Sequence, residues 1–166
     1  MPDRTPLLSG GCQCGAVRYA LYATPRAGIC FCRMCQKAVG GPFFAWASVQ
    51  VDDLAWTREE PAIFRSSSAA TRGFCRNCGT PLSFQYDKRP EAIDVAIGSL
   101  DTPDVIRPTV AHGVESRPAW CDGTLFALPM HPTGTVNPPE DLGRIVNRQH
   151  PDRDTPDGWR PPAAPG

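Results

Sequence analysis

The chain has 166 residues, room for one ordinary domain with a hydrophobic core. Its 17 Lys+Arg balance 17 Asp+Glu and form no basic stripe, which excludes a charge-driven nucleic-acid binder. No apolar run approaches the ~20 residues of a membrane span, and Met1-Pro2-Asp3-Arg4-Thr5-Pro6 lacks the basic-then-apolar order of a signal peptide, so a cytoplasmic protein without membrane partners is expected.

Residues 1–8 read as a flexible N-terminus, and the body runs from residue 9 to residue 131. Residues 17–22 form the first clear strand, with Val17, Tyr19 and Leu21 on one face. Residues 33–39, between Cys32 and Gly40, predict a short helix. Residues 44–49 and 81–86 are aromatic or β-branched runs bounded by Gly and Pro, and read as strands. Further on, Ile93, Val95 and Ile97 alternate with Asp94 and Ala96, the period of a half-buried strand. Trp46, Phe74 and Trp120 are assigned to the core. With no long amphipathic helix, no repeat and no βαβ rhythm, the class is mainly β with at most short helices. Residues 132–166 hold eight of the 19 prolines, including Pro-Pro pairs at 138–139 and 161–162, and few large apolar residues. They read as a Pro-rich tail, largely extended or disordered, because so little burial cannot offset the entropy of ordering.

The eight cysteines fall as Cys12-x-Cys14, Cys30-x-Cys32-x-x-Cys35, Cys75-x-x-Cys78 and a separate Cys121. A disulfide framework fits poorly: cysteine content is about 5%, below the ~8–10% of small disulfide scaffolds. Close pairs suit a tetrahedral ion, because one tight turn aims two sulfurs at a point. Cys75-Arg76-Asn77-Cys78-Gly79 is a zinc-knuckle pattern, with Gly79 supplying permissive backbone after the second ligand. Spacing leaves its partner open between Cys12/Cys14 and the Cys30/Cys32/Cys35 group. Four thiolates give zinc a saturated site of formal charge −2, whereas three leave a coordination position for substrate.

Several ordered segments resemble the glutathione-dependent formaldehyde-activating (GFA) family and the centromere-protein-V-like zinc proteins grouped with it. They are Gly11-Cys12-Gln13-Cys14-Gly15, then Cys30-Phe31-Cys32-Arg33-Met34-Cys35 followed by Gly40-Gly41-Pro42-Phe43-Phe44. Arg72-Gly73-Phe74-Cys75-Arg76-Asn77-Cys78-Gly79-Thr80-Pro81-Leu82 is the most specific, and Gly98-Ser99-Leu100-Asp101-Thr102-Pro103 and His112 complete the pattern. The resemblance covers residues 10–131. Many members carry His where this chain has Phe31, a position that is not a required ligand.

The resemblance implies a β-tent fold of short antiparallel sheets built around two zinc ions. It implies that Cys12, Cys14, Cys75 and Cys78 hold a structural zinc, and that Cys30, Cys32 and Cys35 hold a catalytic one. The implied activity is that of a carbon–sulfur lyase joining glutathione to an aldehyde, as in S-hydroxymethylglutathione. If glutathione is the thiol, its carboxylates need cations: Arg33 and Lys37 follow the central cluster at i,i+4 spacing, and Arg72 and Arg76 flank the knuckle. His112 is a candidate proton shuttle, and Cys121 reads as a bystander thiol. Two other readings remain at this point: a non-catalytic zinc-stabilised β-tent module binding a protein or peptide, and a redox sensor built on Cys30, Cys32 and Cys35.

Overall fold

The strands form where apolar residues alternate with polar ones, and the turns where glycine or proline interrupts them. A computed structural model describes residues 4–136, 139–156 and 158–161. Residues 1–3 of the expected flexible N-terminus, and Pro138 and Pro162 of the two Pro-Pro pairs, lie outside the described residues.

In chain order the body comprises β1 (Leu8–Gly11), β2 (Arg18–Leu21), β3 (Arg26–Cys30), the helix α1 (Arg33–Val39), β4 (Phe44–Gln50), β5 (Leu54–Trp56), β6 (Ala62–Ser67), β7 (Ala70–Phe74), β8 (Pro81–Tyr86), β9 (Ala92–Ala96) and β10 (Ala111–His112). The architecture is mainly β, as the sequence predicts. A small antiparallel sheet has the order β1-β2-β5, and a larger one the order β10-β3-β4-β9-β8-β7-β6. All pairs in the larger sheet are antiparallel except β10 with β3. No helix among the described residues is long and apolar enough to cross a membrane.

Strand alternation gives the larger sheet two distinct faces. Ala47, Val49, Ile93 and Val95 point to the core, where they meet Leu82 near the irregular start of β8, and Val17, Tyr19 and Leu21 from the small sheet and its approach. Register pairs Ala47 with Val95 and Val49 with Ile93, so the apolar side chains stand side by side across the strands. On the opposite face the register lines up Arg26, Ser48, Asp94, Phe84, Arg72 and Phe64 in a single row across six strands. The first five of these are the floor of the functional site, and Phe64 continues the row beyond it.

Two expectations about burial need correction. β2 is buried on both faces, not one, because Arg18 is 3% exposed and meets Asp101 (8% exposed) through two hydrogen bonds of 2.8 and 2.5 Å. Ser9 adds a further bond to Asp101, and Asp154 reaches Arg18 from the tail at 2.9 Å. Trp120 is 53% exposed and therefore not core, while Trp46 and Phe74 are half-buried, Trp46 on the cavity side of β4 and Phe74 in the wall of a neighbouring hollow rather than in the core. Truncating Arg18 leaves the Asp101 carboxylate buried without its partner. We expect Arg18→Met to cost about 3–5 kcal/mol, read as a lower denaturation midpoint at constant slope; a change under about 1 kcal/mol would mean that the pair is dispensable.

The tail contains the short helical turns α2 (Thr133–Val136) and α3 (Pro139–Leu142) and then returns to the body. The His150 backbone N–H donates to the Gln13 carbonyl at 2.7 Å, and the His150 ring is buried between Gly15 and Trp159. Arg58 holds both the Gly15 and Thr155 carbonyls. His150, Thr155 and Trp159 thus lie along the turn that carries Cys12 and Cys14.

Candidate metal centres and the cavity beside them

Two turns, each ending on a glycine, bring four cysteines together. After Cys12 the chain reverses with the Gly15 N–H on the Cys12 carbonyl (3.0 Å), and after Cys75 with the Gly79 N–H on the Cys75 carbonyl (2.8 Å). Gly15 and Gly79 have φ of 73° and 77°, left-handed values that suit glycine. Thr80 joins the turns: its hydroxyl accepts from the Gln13 N–H at 3.0 Å and lies 3.1 Å from Cys78 Sγ. Thr80 carried no assigned role in the sequence reading; a hydroxyl residue directly after a Cys-x-x-Cys-Gly turn is the signal that locates it.

The four sulfurs of Cys12, Cys14, Cys75 and Cys78 lie within 4.8 Å of one another. Cys12–Cys14 and Cys14–Cys75 are separated by 3.6 and 3.7 Å. Tetrahedral zinc with Zn–S of about 2.3 Å places its sulfurs about 3.8 Å apart, so the spacing fits a four-thiolate site. Cys12 and Cys75 belong to the hydrophobic core, and Cys14 and Cys78 pack against it. Burial raises the Cys14 thiol, whereas at Cys78 burial is outweighed by the hydrogen bonds from Thr80, Cys14 and Cys75 together, which lower the thiol to about 6.

The second cluster is built differently. Cys30 ends β3, Cys32 takes the extended backbone that precedes α1, and Cys35 lies in the first turn of α1. The three sulfurs lie within 4.8 Å of one another, and no fourth metal-ligating group joins them among the described residues. Cys121 is buried but stands outside both clusters. Buried Gln36 pins the cluster by donating to the Phe31 and Ser116 carbonyls at 2.6 and 2.9 Å. Gly113, at φ 62°, lets the loop after β10 approach Cys32; a Cβ there would lie 2.6 Å from the Cys32 nitrogen.

Burial pushes the Cys30 thiol up to about 12 and raises that of Cys35, the latter opposed by Arg72, whose guanidinium donates to Cys35 Sγ at 3.3 Å. Arg72 itself lies over the ring of Phe84, 4.7 Å from its centroid. These three cysteines open on a cavity of about 580 Å³ over the polar face of the larger sheet. His112 lines it, in register with Cys30 and stacked on Trp46 at 6.0 Å. Across the floor stand Arg26, Asp94 and Arg89. Burial raises the Asp94 carboxyl, while the Ser48 hydrogen bond and the charges of Arg89 and Arg26 pull it the other way without overcoming burial.

The four cations named from sequence are thus distributed unevenly. Arg72 joins the cluster and the cavity. Lys37 lines a neighbouring hollow, Arg33 bonds to the Gln36 side chain on α1, and Arg76 is exposed in its knuckle, outside both hollows. Arg26, Arg89 and Asp94 were missed: cross-strand register brings Arg26 and Asp94 to one wall from distant strands, and Arg89 reaches it from the turn between β8 and β9. The strand period of residues 93–97 is the signal for Asp94, since it puts that carboxylate on the face opposite Ile93 and Val95.

Comparison with known proteins places these features in context. The family described as glutathione-dependent formaldehyde-activating enzyme matches residues 7–116. A protein of Halomonas elongata, provisionally named a glutathione-dependent formaldehyde-activating enzyme, is 31% identical over 131 residues, covering 70% of this chain and 80% of that protein. An uncharacterized lyase of Schizosaccharomyces pombe is 35% identical over 82 residues; the match spans 49% of this chain and 59% of the yeast protein, less than two thirds of its length. A solved Rhodobacter sphaeroides structure aligns with TM-score 0.50 at 25% identity, covering 63% of this chain and 98% of that one.

Proposed function

Since the chain belongs to the glutathione-dependent formaldehyde-activating enzyme family, we propose that it is a zinc-dependent carbon–sulfur lyase-type enzyme that joins a thiol, glutathione, to an aldehyde. The observation that carries this reading is the contrast between the clusters. One set of four cysteines is packed into the core, and a set of three borders a cavity. A structural module needs only the first.

In this reading Cys12, Cys14, Cys75 and Cys78 hold a structural zinc, and Cys30, Cys32 and Cys35 hold a second one. A zinc ion in the three-cysteine site supplies Lewis acidity and an open coordination position. The chain's own groups do the rest. Arg72 offsets the negative charge of the three thiolates from 3.3 Å and orients Cys35. Arg26 and Arg89 bind the carboxylates of glutathione, and Asp94 its ammonium group, so that sulfur and carbonyl carbon meet in attack geometry. His112 takes the thiol proton and returns it to the former carbonyl oxygen. One S–C bond forms, the carbonyl π pair becomes the O–H bond, and nothing is oxidised or reduced.

The test is exchange NMR with ¹³C-formaldehyde and glutathione on the zinc-loaded protein, with amide shifts followed in parallel. We expect interconversion faster than the spontaneous reaction, and shifts at Arg26, Arg72 and Arg89. Neither acceleration nor shifts at millimolar glutathione would overturn the enzyme reading and favour the binding module.

A further inference from the structure

Beside the cavity of the three cysteines lies a second hollow of about 530 Å³. Ala38, Val39, Phe64, Phe74 and Pro81 are among its own walls, whereas Met34, Phe44, Ser66 and Arg72 line both hollows. The two are therefore neighbours across Arg72. On one side its guanidinium touches Cys35 Sγ. On the other its registered neighbour is Phe64 on β6, the next side chain in the row, beyond the cavity floor.

The second hollow is apolar, and the large side chains at its margin are open to solvent: Phe64 and Met34 are each 59% exposed. Exposed aromatic and thioether surface around a concavity marks a place for an apolar group, because filling it removes that surface from water. At about 530 Å³ it lies within the roughly 300–1,000 Å³ of small-molecule sites. Formaldehyde, with one carbon, has no atom to place there. Glutathione, with two carboxylates and an ammonium group, is matched by Arg26, Arg89 and Asp94 on the floor of the first cavity, whereas the second offers Lys37 and the shared Arg72 but no carboxylate for the ammonium group.

Resting on the thiol–aldehyde reading, we propose that this hollow takes the apolar substituent of a larger aldehyde, so that the substrate is the glutathione adduct of a medium-chain alkyl aldehyde. The thiol S–H adds across the aldehyde C=O: an S–C bond forms, the proton ends on oxygen, and the chain on the carbonyl carbon runs past Arg72 into the hollow. The reverse breaks the same S–C bond and returns thiol and aldehyde.

Two thioethers serve as stable probes. S-methylglutathione stands for the formaldehyde adduct and S-hexylglutathione for that of hexanal. Calorimetry on the zinc-loaded protein is expected to show S-hexylglutathione binding at least about tenfold tighter, about 1.4 kcal/mol. Ala38→Trp fills the hollow from α1 and is expected to erase that preference while leaving S-methylglutathione affinity unchanged. Phe64→Asn, an uncharged substitution at an exposed side chain outside the first cavity, is expected to do the same and stands independently should the tryptophan variant fail to fold. Equal affinities in the natural protein, or a preference that survives both substitutions, would overturn the inference and leave the thiol–aldehyde reading intact. Binding of neither thioether would overturn both.

Discussion

Replacing Cys75 by serine is expected to unfold the body of the protein. Cys75 is 1% exposed and belongs to the hydrophobic core, yet it is also one of the four sulfurs that converge where the two knuckles meet. A structural zinc contributes about 10–16 kcal/mol, comparable to the ~5–15 kcal/mol net stability of a whole domain. Removing one ligand leaves three thiolates and a serine hydroxyl, which zinc holds poorly, inside a part of the core that nothing else fills. The loss reaches past the knuckle itself, because Thr80, which follows it, also anchors Gln13, and the Gln13 carbonyl receives the tail through His150. Circular dichroism of Cys75→Ser should show no cooperative melt, and a chelator strong enough to strip both metals should do the same to the natural protein. A cooperative, native-like melt in the variant would refute a structural role for this cluster.

The second large effect is expected at Cys32. Its sulfur belongs to the set of three, is half-buried and lines the cavity. Cys32→Ser therefore removes a ligand from the reactive site without disturbing the core. We expect kcat/KM to fall at least about a hundredfold, about 2.7 kcal/mol of lost transition-state stabilisation, with a melt close to that of the natural protein. The contrast between the two serine variants matters more than either alone. A Cys32→Ser protein that unfolds like Cys75→Ser would mean that both clusters are structural. Full retained activity would remove the three-cysteine site from the chemistry.

Much of this was legible from single segments. The bracket of Cys32 and Gly40 marked out α1 as Arg33–Val39, and Gly40 does end it in a left-handed conformation at φ 65°. Strands β4 and β8 lie on the aromatic or β-branched runs bounded by Gly and Pro, and β9 on the run that alternation picks out, because burying one face of a strand leaves a period of two in the sequence. Spacing alone left open which cysteines share a site. Sulfur positions pair Cys12 and Cys14 with Cys75 and Cys78, a grouping that only the family resemblance had implied.

What was not legible depends on contacts distant in sequence. Arg18 sits in an apolar-looking strand, and nothing local announces that Asp101 will neutralise it from 83 residues away. Arg26 and Asp94 meet because of strand register, which no single segment encodes, and Arg89 joins them from the turn between β8 and β9. Trp46 and Trp120 have the same apolar side chain as core residues, and only the sheet faces distinguish a cavity wall from a buried position. The tail likewise reads as polar and proline-rich, yet one residue, His150, is buried in it at 4% exposure.

The central claim is that one cluster is closed and structural while the other is open and reactive. Metal analysis of the purified natural protein and of Cys32→Ser tests it most directly. Two zinc ions per chain are expected in the first and one in the second, with the fold retained in both. One zinc per chain in both proteins would contradict it.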